Sequence, residues 1–543
     1  MCRVPTSRST RRSATSAPPR IRRPSGRRSN RYWRRSRSNS PTEPHRIGAN
    51  NVKSTRDSVF LDGRPTASAG TAQFTVVNPT TEEPYGNYAI GTAEDVDRAV
   101  TSARRAMAAA SWQRTEVEER CDLVLRLRDL LAQEAAELAE LHARTLGTPV
   151  TTGRHLGGAA GLIDMFVDSA RRSPWEFLRA DPGGRTTLVT RQPVGVVAGI
   201  LPWNTPIRSE VKKVVPAVLA GCAVVLKPSP EGAFTSFAFA ELCTKAGFPP
   251  GIVNVVPGDG ATGEALVRHP GVTKVAFTGS TATGSRIAAA ASPAFKRLQL
   301  ELGGKSAAIV LDDADIGRAA PILSRANWGN SGQMCVSLSR VLVSRSRRSE
   351  LVDALVEHAQ RQVVGDPRDA ATTMGPLVNR TQRDRVLDYL QTGIDEGACL
   401  ATGGAPAPTS ERGWFVPPAV FADVQPTARI AQEEIFGPIV TVIGYDSLDE
   451  AVAIANDSPY GLHGAVYSTD EQRALDVARR IHSGSVAINE FYLAPSAPFG
   501  GVKQSGIGRE HGPEGYDSFL EYVSYDIPAA LATSLRAHGL RDG

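Results

Sequence analysis

The chain has 543 residues and 57.8 kDa, with 41% hydrophobic and 22% charged residues. These are ordinary globular values and exclude collagen-like, wholly disordered and small disulfide-stapled classes. The formal charge of +6 is unevenly spread: the first fifty residues hold fourteen Arg, no Lys and one acid, Glu43, while the rest carries 48 basic against 55 acidic residues.

Residues 1–56 are rich in Arg, Ser and Pro and poor in large apolar side chains. Such a segment cannot offset its chain entropy by burial, which predicts a disordered Arg-rich tail. Three readings of it stand. It binds nucleic acid or anionic lipid non-specifically, it is an organelle transit peptide, or it is an upstream translation start without selected function. The last is favoured, because charge runs are usually solvated and inert.

From about Phe60 the texture becomes that of a folded body. Thr92–Met107 reads as a capped helix and Val117–Thr145 as a long amphipathic one. Short β-branched runs then alternate with helical patterns. The strand candidates are Pro193–Leu201, Ala223–Leu226, Ile252–Val256 and Val272–Phe277; the helix candidates are Val211–Leu219, Ala233–Ala246 and Thr262–Arg268. A second alternating block runs from Ser306 to about Asn489. Its strands are expected at Ala307–Leu311, Val341–Val343, Ile439–Gly444 and Ser485–Ile488, with helices near Arg347–Val363 and Thr381–Glu396. Buried strands alternating with helices indicate an α/β fold with mostly parallel sheets. The apolar runs stop at about eight or nine residues, too few for a membrane-spanning helix. Six well-separated cysteines without a CxxC pair point away from zinc and disulfides and towards a reducing, cytoplasmic setting, with no metal expected.

Four motifs carry chemistry. Cys335 lies in the polar, Gly-bearing segment Asn330-Ser-Gly-Gln-Met-Cys335, as an accessible thiol nucleophile would. Glu301 stands between two Leu in Leu298-Gln-Leu-Glu-Leu-Gly-Gly-Lys-Ser306. Apolar surroundings raise a carboxyl pKa and suit it to general-base work; the bland alternative is an acid paired with Lys305. Asn204, in Leu201-Pro-Trp-Asn-Thr-Pro206, is held between prolines and can donate to an oxyanion, though such a segment also reads as a plain turn. Phe277-Thr-Gly-Ser-Thr-Ala-Thr-Gly284 follows a strand and opens a helix at about Gly284, a setting for a dinucleotide's phosphates. The GxGxxG fingerprint is absent.

With Lys227-Pro-Ser, Glu433-Glu-Ile-Phe-Gly-Pro438 and Pro498-Phe-Gly-Gly-Val-Lys-Gln-Ser-Gly506, these motifs stand in an order that resembles the aldehyde dehydrogenase superfamily over residues 57–527. The resemblance implies an NAD(P)-dependent oxidoreductase that converts an aldehyde to its acid through a cysteine thiohemiacetal and thioester. It places the nucleophile at Cys335, the oxyanion amide at Asn204, the water-activating base at Glu301 and a proton-relay pair at Lys213 and Glu510. The cofactor is NAD, with NADP acceptable, and its contacts fall on Ile200, Trp203, Lys227, Gly260, Ser280, Gly284, Glu434 and Phe436. A surface salt bridge is the bland reading of Lys213 and Glu510. The implied architecture is a Rossmann-like cofactor domain (57–176 and 192–303), an α/β catalytic domain (304–500), and a small β oligomerisation element with the C-terminal segment (177–191 and 501–543). A homodimer or homotetramer follows.

Two departures from the family pattern stand out. Pro230 occupies the position where a Glu often follows the ribose lysine by three residues, with Glu231 next to it, which weakens the case for strict NAD selection. The entrance segment after Asn204 carries Thr205, Arg208, Ser209 and Lys212 where apolar residues are common, and Arg208 and Lys212 are spaced to share a helix face. A CoA-acylating semialdehyde dehydrogenase is the alternative activity; Glu301 argues against it, because a thiol acceptor needs no water-activating base. If the tail is dispensable, protein lacking residues 1–55 should keep full turnover and its native elution in gel filtration; loss of folding or assembly would contradict this reading.

Overall fold

The computed structural model describes residues 55–152, 154–404 and 412–543. The readings made for residues 1–54, including nucleic-acid binding by the tail, lie outside them.

Two large sheets organise the described chain. The first has eight strands in the order Gly506–Ile507, Arg297–Glu301, Lys274–Thr278, Val196–Ile200, Ala223–Lys227, Val253–Val255, Ser58–Leu61 and Arg64–Ala67. The five strands from Arg297–Glu301 to Val253–Val255 are mutually parallel. Their β-branched, fully buried sequences, such as Ala223-Val-Val-Leu-Lys227, are those of strands covered on both faces. The outer strands are antiparallel. Ser58–Leu61 turns into Arg64–Ala67 through Asp62 and Gly63, both at positive φ (53° and 74°), which is the Asp-Gly hairpin turn.

The second sheet runs Cys399–Thr402, Ala419–Ala422, Ile439–Tyr445, Arg340–Ser344, Ala307–Val310, Gly464–Tyr467 and Ala487–Ile488. It is parallel except at its first strand. Arg340 is buried at 2% exposure in this sheet and donates to the carbonyls of Lys305, Ile454 and Ala455 at 2.9–3.0 Å. Those three bonds satisfy a guanidinium that would otherwise be costly to bury.

Chain order in the first sheet sets the site. From Val196–Ile200 the chain winds outward through Ala223–Lys227 and Val253–Val255, then returns to the other side with Lys274–Thr278 and Arg297–Glu301. The reversal lies between Val196–Ile200 and Lys274–Thr278, and a crevice opens at the carboxyl ends of strands at such a point. Register aligns Ile200 with Lys227 and Phe277, and Thr278 with Glu301. Four motif residues therefore end adjacent strands along one edge.

A three-stranded antiparallel sheet joins Leu520–Ile527, Thr186–Pro193 and Glu176–Ala180. It unites the two stretches from which the sequence predicts a projecting hairpin and its C-terminal partner. Gly506–Ile507, by contrast, extends the first sheet. The predicted helix Val117–Thr145 is two helices, Val117–Gln133 and Ala135–Leu146, broken at Glu134. Among the described residues no helix is long and apolar enough to cross a membrane.

Candidate active site

A cavity of about 1150 Å³ opens at the reversal point. Ile200, Trp203, Asn204, Lys227, Gly260, Ser280, Glu301, Cys335, Glu434 and Phe436 all line it. Two helices begin at its wall. Asp259 caps Gly260–Arg268 by accepting from the amides of Ala261 and Thr262. Ser280 caps Thr281–Ala291 through the amide of Thr283, 3.3 Å away. This second helix starts three residues earlier than the sequence suggests. The N–H groups of Thr281 and its neighbours thus face the cavity, a favourable seat for phosphate. Gly284 is not part of the wall. It is buried one turn inside that helix, where a Cβ would lie 2.5 Å from Leu302, so its place in the structure is close helix–strand packing.

The cavity suits a dinucleotide. The hydroxyls of Ser229 and Thr278 are buried in its wall without hydrogen-bond partners among the described residues. Gly260 has nothing within 4 Å of a notional Cβ, and Gly263 leaves room beside Lys227. Burial pushes the Lys227 ammonium down to about 8. Pro230 lines the cavity, whereas the Glu231 carboxylate is turned away to accept from Asn379 Nδ2 at 2.7 Å. Trp203 and Phe436 meet edge to face, ring centroids 5.5 Å apart.

Around Cys335 the backbone is tightly fixed. Asn330, Ser331 and Gly332 all have positive φ (52°, 56° and 72°), and a Cβ at Gly332 would lie 2.2 Å from the carbonyl oxygen of Gly437. Asn204 Nδ2 donates to the carbonyl of Gln333 at 2.9 Å, and Asn330 Nδ2 returns a bond to the carbonyl of Asn204 at 3.0 Å. Gln333 Oε1 accepts from the amide of Val378 at 3.0 Å. The Asn204 amide is therefore locked against the segment that bears the thiol, not idle in a turn. Burial pushes the Cys335 thiol up to about 12, with Lys212 opposing the shift.

Glu301 is 3% exposed, and neither carboxylate oxygen has a hydrogen-bond partner among the described residues. It is not paired with Lys305, whose buried Nζ also lacks one. Burial holds Glu301 well above the usual carboxylate range, and the negative charge of Glu510 adds to this. Glu434 accepts from the amide of Gly304 at 2.9 Å and is pushed up to about 7, mainly by burial.

Lys213 and Glu510 do not line the cavity. They form a direct ion pair with both side chains fully buried, so the surface reading is wrong for them. Lys212, read from sequence only as an entrance residue, holds the other Glu510 oxygen at 2.6 Å. Burial opposes ionisation of Glu510, but the two lysines outweigh it and hold the carboxyl below its ordinary range. Gln382, Arg385 and Tyr460 complete the cavity wall and carried no motif signal; only the packing of the helix Arg380–Asp395 against the Glu434 segment brings the first two there.

The aldehyde dehydrogenase family profile matches residues 66–524. Geranial dehydrogenase of Castellaniella defragrans is 43% identical over 468 residues, covering 86% of this chain and 98% of that protein. 3-Succinoylsemialdehyde-pyridine dehydrogenase of a Pseudomonas species is 41% identical, covering 85% and 96%. The crystal structure of a Mycobacterium tuberculosis aldehyde dehydrogenase complexed with NAD+ matches with a TM-score of 0.85 at 40% identity, covering 87% of this chain and 98% of that one. The motifs, the cavity at the reversal point and these likenesses agree, and the chain belongs to the aldehyde dehydrogenase family.

Proposed function

We propose the following division of labour in the NAD-dependent oxidation of an aldehyde to its carboxylic acid. The observation that carries it is the convergence of Cys335, Asn204 and Glu301 on one cavity shaped for a dinucleotide. Cys335 Sγ adds to the aldehyde carbon, and the Asn204 amide, already fixed beside the thiol segment, donates to the oxygen as negative charge develops there. When bound in the cavity, NAD would supply the hydride acceptor. Lys227, Ser229, Ser280 and the start of the helix Thr281–Ala291 would hold its ribose and phosphates, and Trp203, Glu434 and Phe436 its reactive end.

The thioester left on Cys335 needs water. Glu301, apolar-walled and held well above the usual carboxylate range, is a stronger base than an ordinary carboxylate. Its unpartnered oxygens leave it free to orient that water. Glu510, held ionised by Lys212 and Lys213, lies within electrostatic reach of Glu301, and this buried charged cluster is the outlet proposed for the proton. A base dedicated to water favours hydrolysis over acyl transfer to CoA.

In this reading residues 57–176 and 192–303 form the NAD-binding domain, 304–500 the catalytic domain, and 177–191 with 501–543 the oligomerisation element and C-terminal segment. Membership of the sheets supports that division except at Gly506–Ile507, which extends the first sheet. The exposed face of Leu520–Ile527, with Tyr522 and Tyr525, suits assembly into a dimer or tetramer. Cys121, Cys222, Cys243 and Cys335, none of them in a disulfide, suit a cytoplasmic location.

Three measurements test this scheme. Cys335→Ala should abolish turnover while NAD still binds, and Glu301→Gln should keep a burst of reduced cofactor while steady turnover falls by ~10²-fold or more. Turnover in Cys335→Ala, or an unimpaired steady rate in Glu301→Gln, would assign the roles elsewhere. The thiol's raised pKa gives a pH dependence. Below about 12 the neutral thiol dominates, so thiolate grows with pH. Iodoacetamide labelling of Cys335 in cofactor-free protein should accelerate about tenfold per unit between pH 7 and 9. A flat profile would mean that the thiolate is already formed at pH 7.

Cofactor choice follows from Pro230. A carboxylate there would accept from the 2′-hydroxyl of NAD and repel the 2′-phosphate of NADP; Pro230 does neither, and Glu231 is committed to Asn379. NAD is used and NADP is discriminated only weakly. A charged hydrogen bond contributes ~1.5–3 kcal/mol, so Pro230→Glu should raise the NAD/NADP ratio of kcat/KM by about one to two decades. Exclusion of NADP by more than ~10³ in the unaltered protein would require another selector.

A further inference from the structure

The two outer edges of the three-stranded sheet differ. Along Leu520–Ile527 no further strand pairs among the described residues, and Tyr522 and Tyr525 stand exposed there. The outer edge of Glu176–Ala180 is occupied by the chain's own segment Pro528–Gly543. The amide of Leu178 donates to the carbonyl of Arg541 at 2.9 Å, and the amide of Gly543 donates to the carbonyl of Leu178 at 3.0 Å. Leu178 and Asp542 thus pair as in a parallel ladder. The family profile matches up to residue 524, and the covering segment lies outside the part it matches.

This segment is built to fold back. Ala529–Ala537 is a helix anchored by the buried Ala532. Just beyond its end stands Gly539, with φ of 94°. The amide of Leu540 donates to the carbonyl of Leu535, and that of Gly539 to the carbonyl of Arg536, both at 3.0 Å. This is the left-handed closure that glycine permits after a helix, and it turns the chain back. The Arg536 guanidinium then holds the Asp542 carboxylate at 2.9 Å, tying the returning strand to its own helix. Gly543 lies against Phe177, where a Cβ would come within 2.4 Å of the ring. Phe177 and Leu178 are both buried.

An open edge strand offers its N–H and C=O groups to any second strand. Glu176-Phe-Leu-Arg-Ala180 lacks safeguards of its own: it has no Pro, and the charges of Glu176 and Arg179 cancel. A sheet open at both edges can add copies on both sides, whereas one closed edge limits association to the other. We propose that residues 540–543 are an edge cap that closes Glu176–Ala180 against a second copy of this chain and leaves assembly to Leu520–Ile527. This rests on the reading of the three-stranded sheet as the assembly element. The partner excluded is the same edge of another copy, which would add through backbone hydrogen bonds at Leu178 and cover Phe177.

The test compares the full chain with a variant lacking residues 540–543, by light scattering after gel filtration. The unaltered protein should keep one mass, whereas the mean mass of the shortened protein should rise twofold or more between ~1 and ~100 µM, with turnover per subunit unchanged. Hydrogen exchange reads the edge itself. At ~1 µM, segment 176–180 should exchange about tenfold faster in the shortened protein, and it should regain protection as the assemblies grow. Should the shortened protein fail to fold, Gly539→Val gives the same readings, since a Cβ there has nothing within 4 Å and only the turn is strained. A mass that stays constant in the variant, or equal exchange of segment 176–180 with and without the cap, overturns the inference and leaves the dehydrogenase reading intact. Growth without renewed protection of that segment also overturns it, because the copies would be meeting elsewhere. If the unaltered protein is a monomer at every concentration, the assembly reading fails, and the cap is judged by the variant alone.

Discussion

Everything at this site depends on how closely the chain can cross from one sheet to the other. Between Arg297–Glu301 of the first sheet and Ala307–Val310 of the second lie five residues, Leu302–Ser306. A Cβ at Gly303 would lie 2.5 Å from the Glu434 carboxylate, and one at Gly304 would lie 2.4 Å from the carbonyl oxygen of Cys335. Only bare backbone lets three functional segments meet here. Ser505 clamps the crossing: its hydroxyl donates to the carbonyl of Gly303 at 2.7 Å and accepts from the amide of Gly461 at 3.0 Å, while its carbonyl accepts from the amide of Leu302 at 2.9 Å. The carboxylate of Glu301 thus ends one sheet and the thiol of Cys335 precedes a strand of the other, and both face one cavity.

Electrostatics divides this space into two kinds of carboxyl group. Glu301 and Glu510 are both buried and influence each other, yet their pKa values move apart. Burial and the negative charge of Glu510 raise the first; two lysines lower the second. Pairs of acids separated in this way hold different charge states at the same pH. The protein, an NAD-dependent aldehyde dehydrogenase, thus has a carboxyl that favours its proton and a stable anion set by surroundings, with the same side chain serving at both positions.

How much of this was legible in the sequence varies with the range of the interaction. Strand ends such as Ile200 and Lys227 were legible because β-branched runs and their punctuation are local; the strand Arg297–Glu301 holds no β-branched residue and was not among those read from the sequence. The Asp62-Gly63 turn was equally local and was missed, though the dipeptide is a strong hairpin signal. Helix Arg154–Arg172 was obscured by Gly157, Gly158 and Gly161, which lower helix propensity. The break at Glu134 left no Pro or Gly to mark it. Gly284 read as a ligand contact because glycine spacing does not say which face a glycine presents; the structure puts Leu302 there. Lys212 was visible as a charge, but its partner is 298 residues away, and no local pattern reports the Lys212–Glu510 bond.

The same distance in sequence separates structural from functional burial. Arg340 is buried with three carbonyl partners, and Lys274 donates to the carbonyl of Ser518 at 2.8 Å. Such groups cost little because their hydrogen bonds are replaced within the fold. Glu301 is different: it presents an ionisable head group, neither oxygen of which has a hydrogen-bond partner among the described residues. Left that way it reduces stability, since it has lost water and gained no bond. A fold tolerates such groups where a ligand completes them, and breaches of local satisfaction therefore mark functional positions. In the proposed scheme the completing partner of Glu301 is the water that hydrolyses the thioester, and holding that water in place couples the base to correct attack on the carbon bound to Cys335.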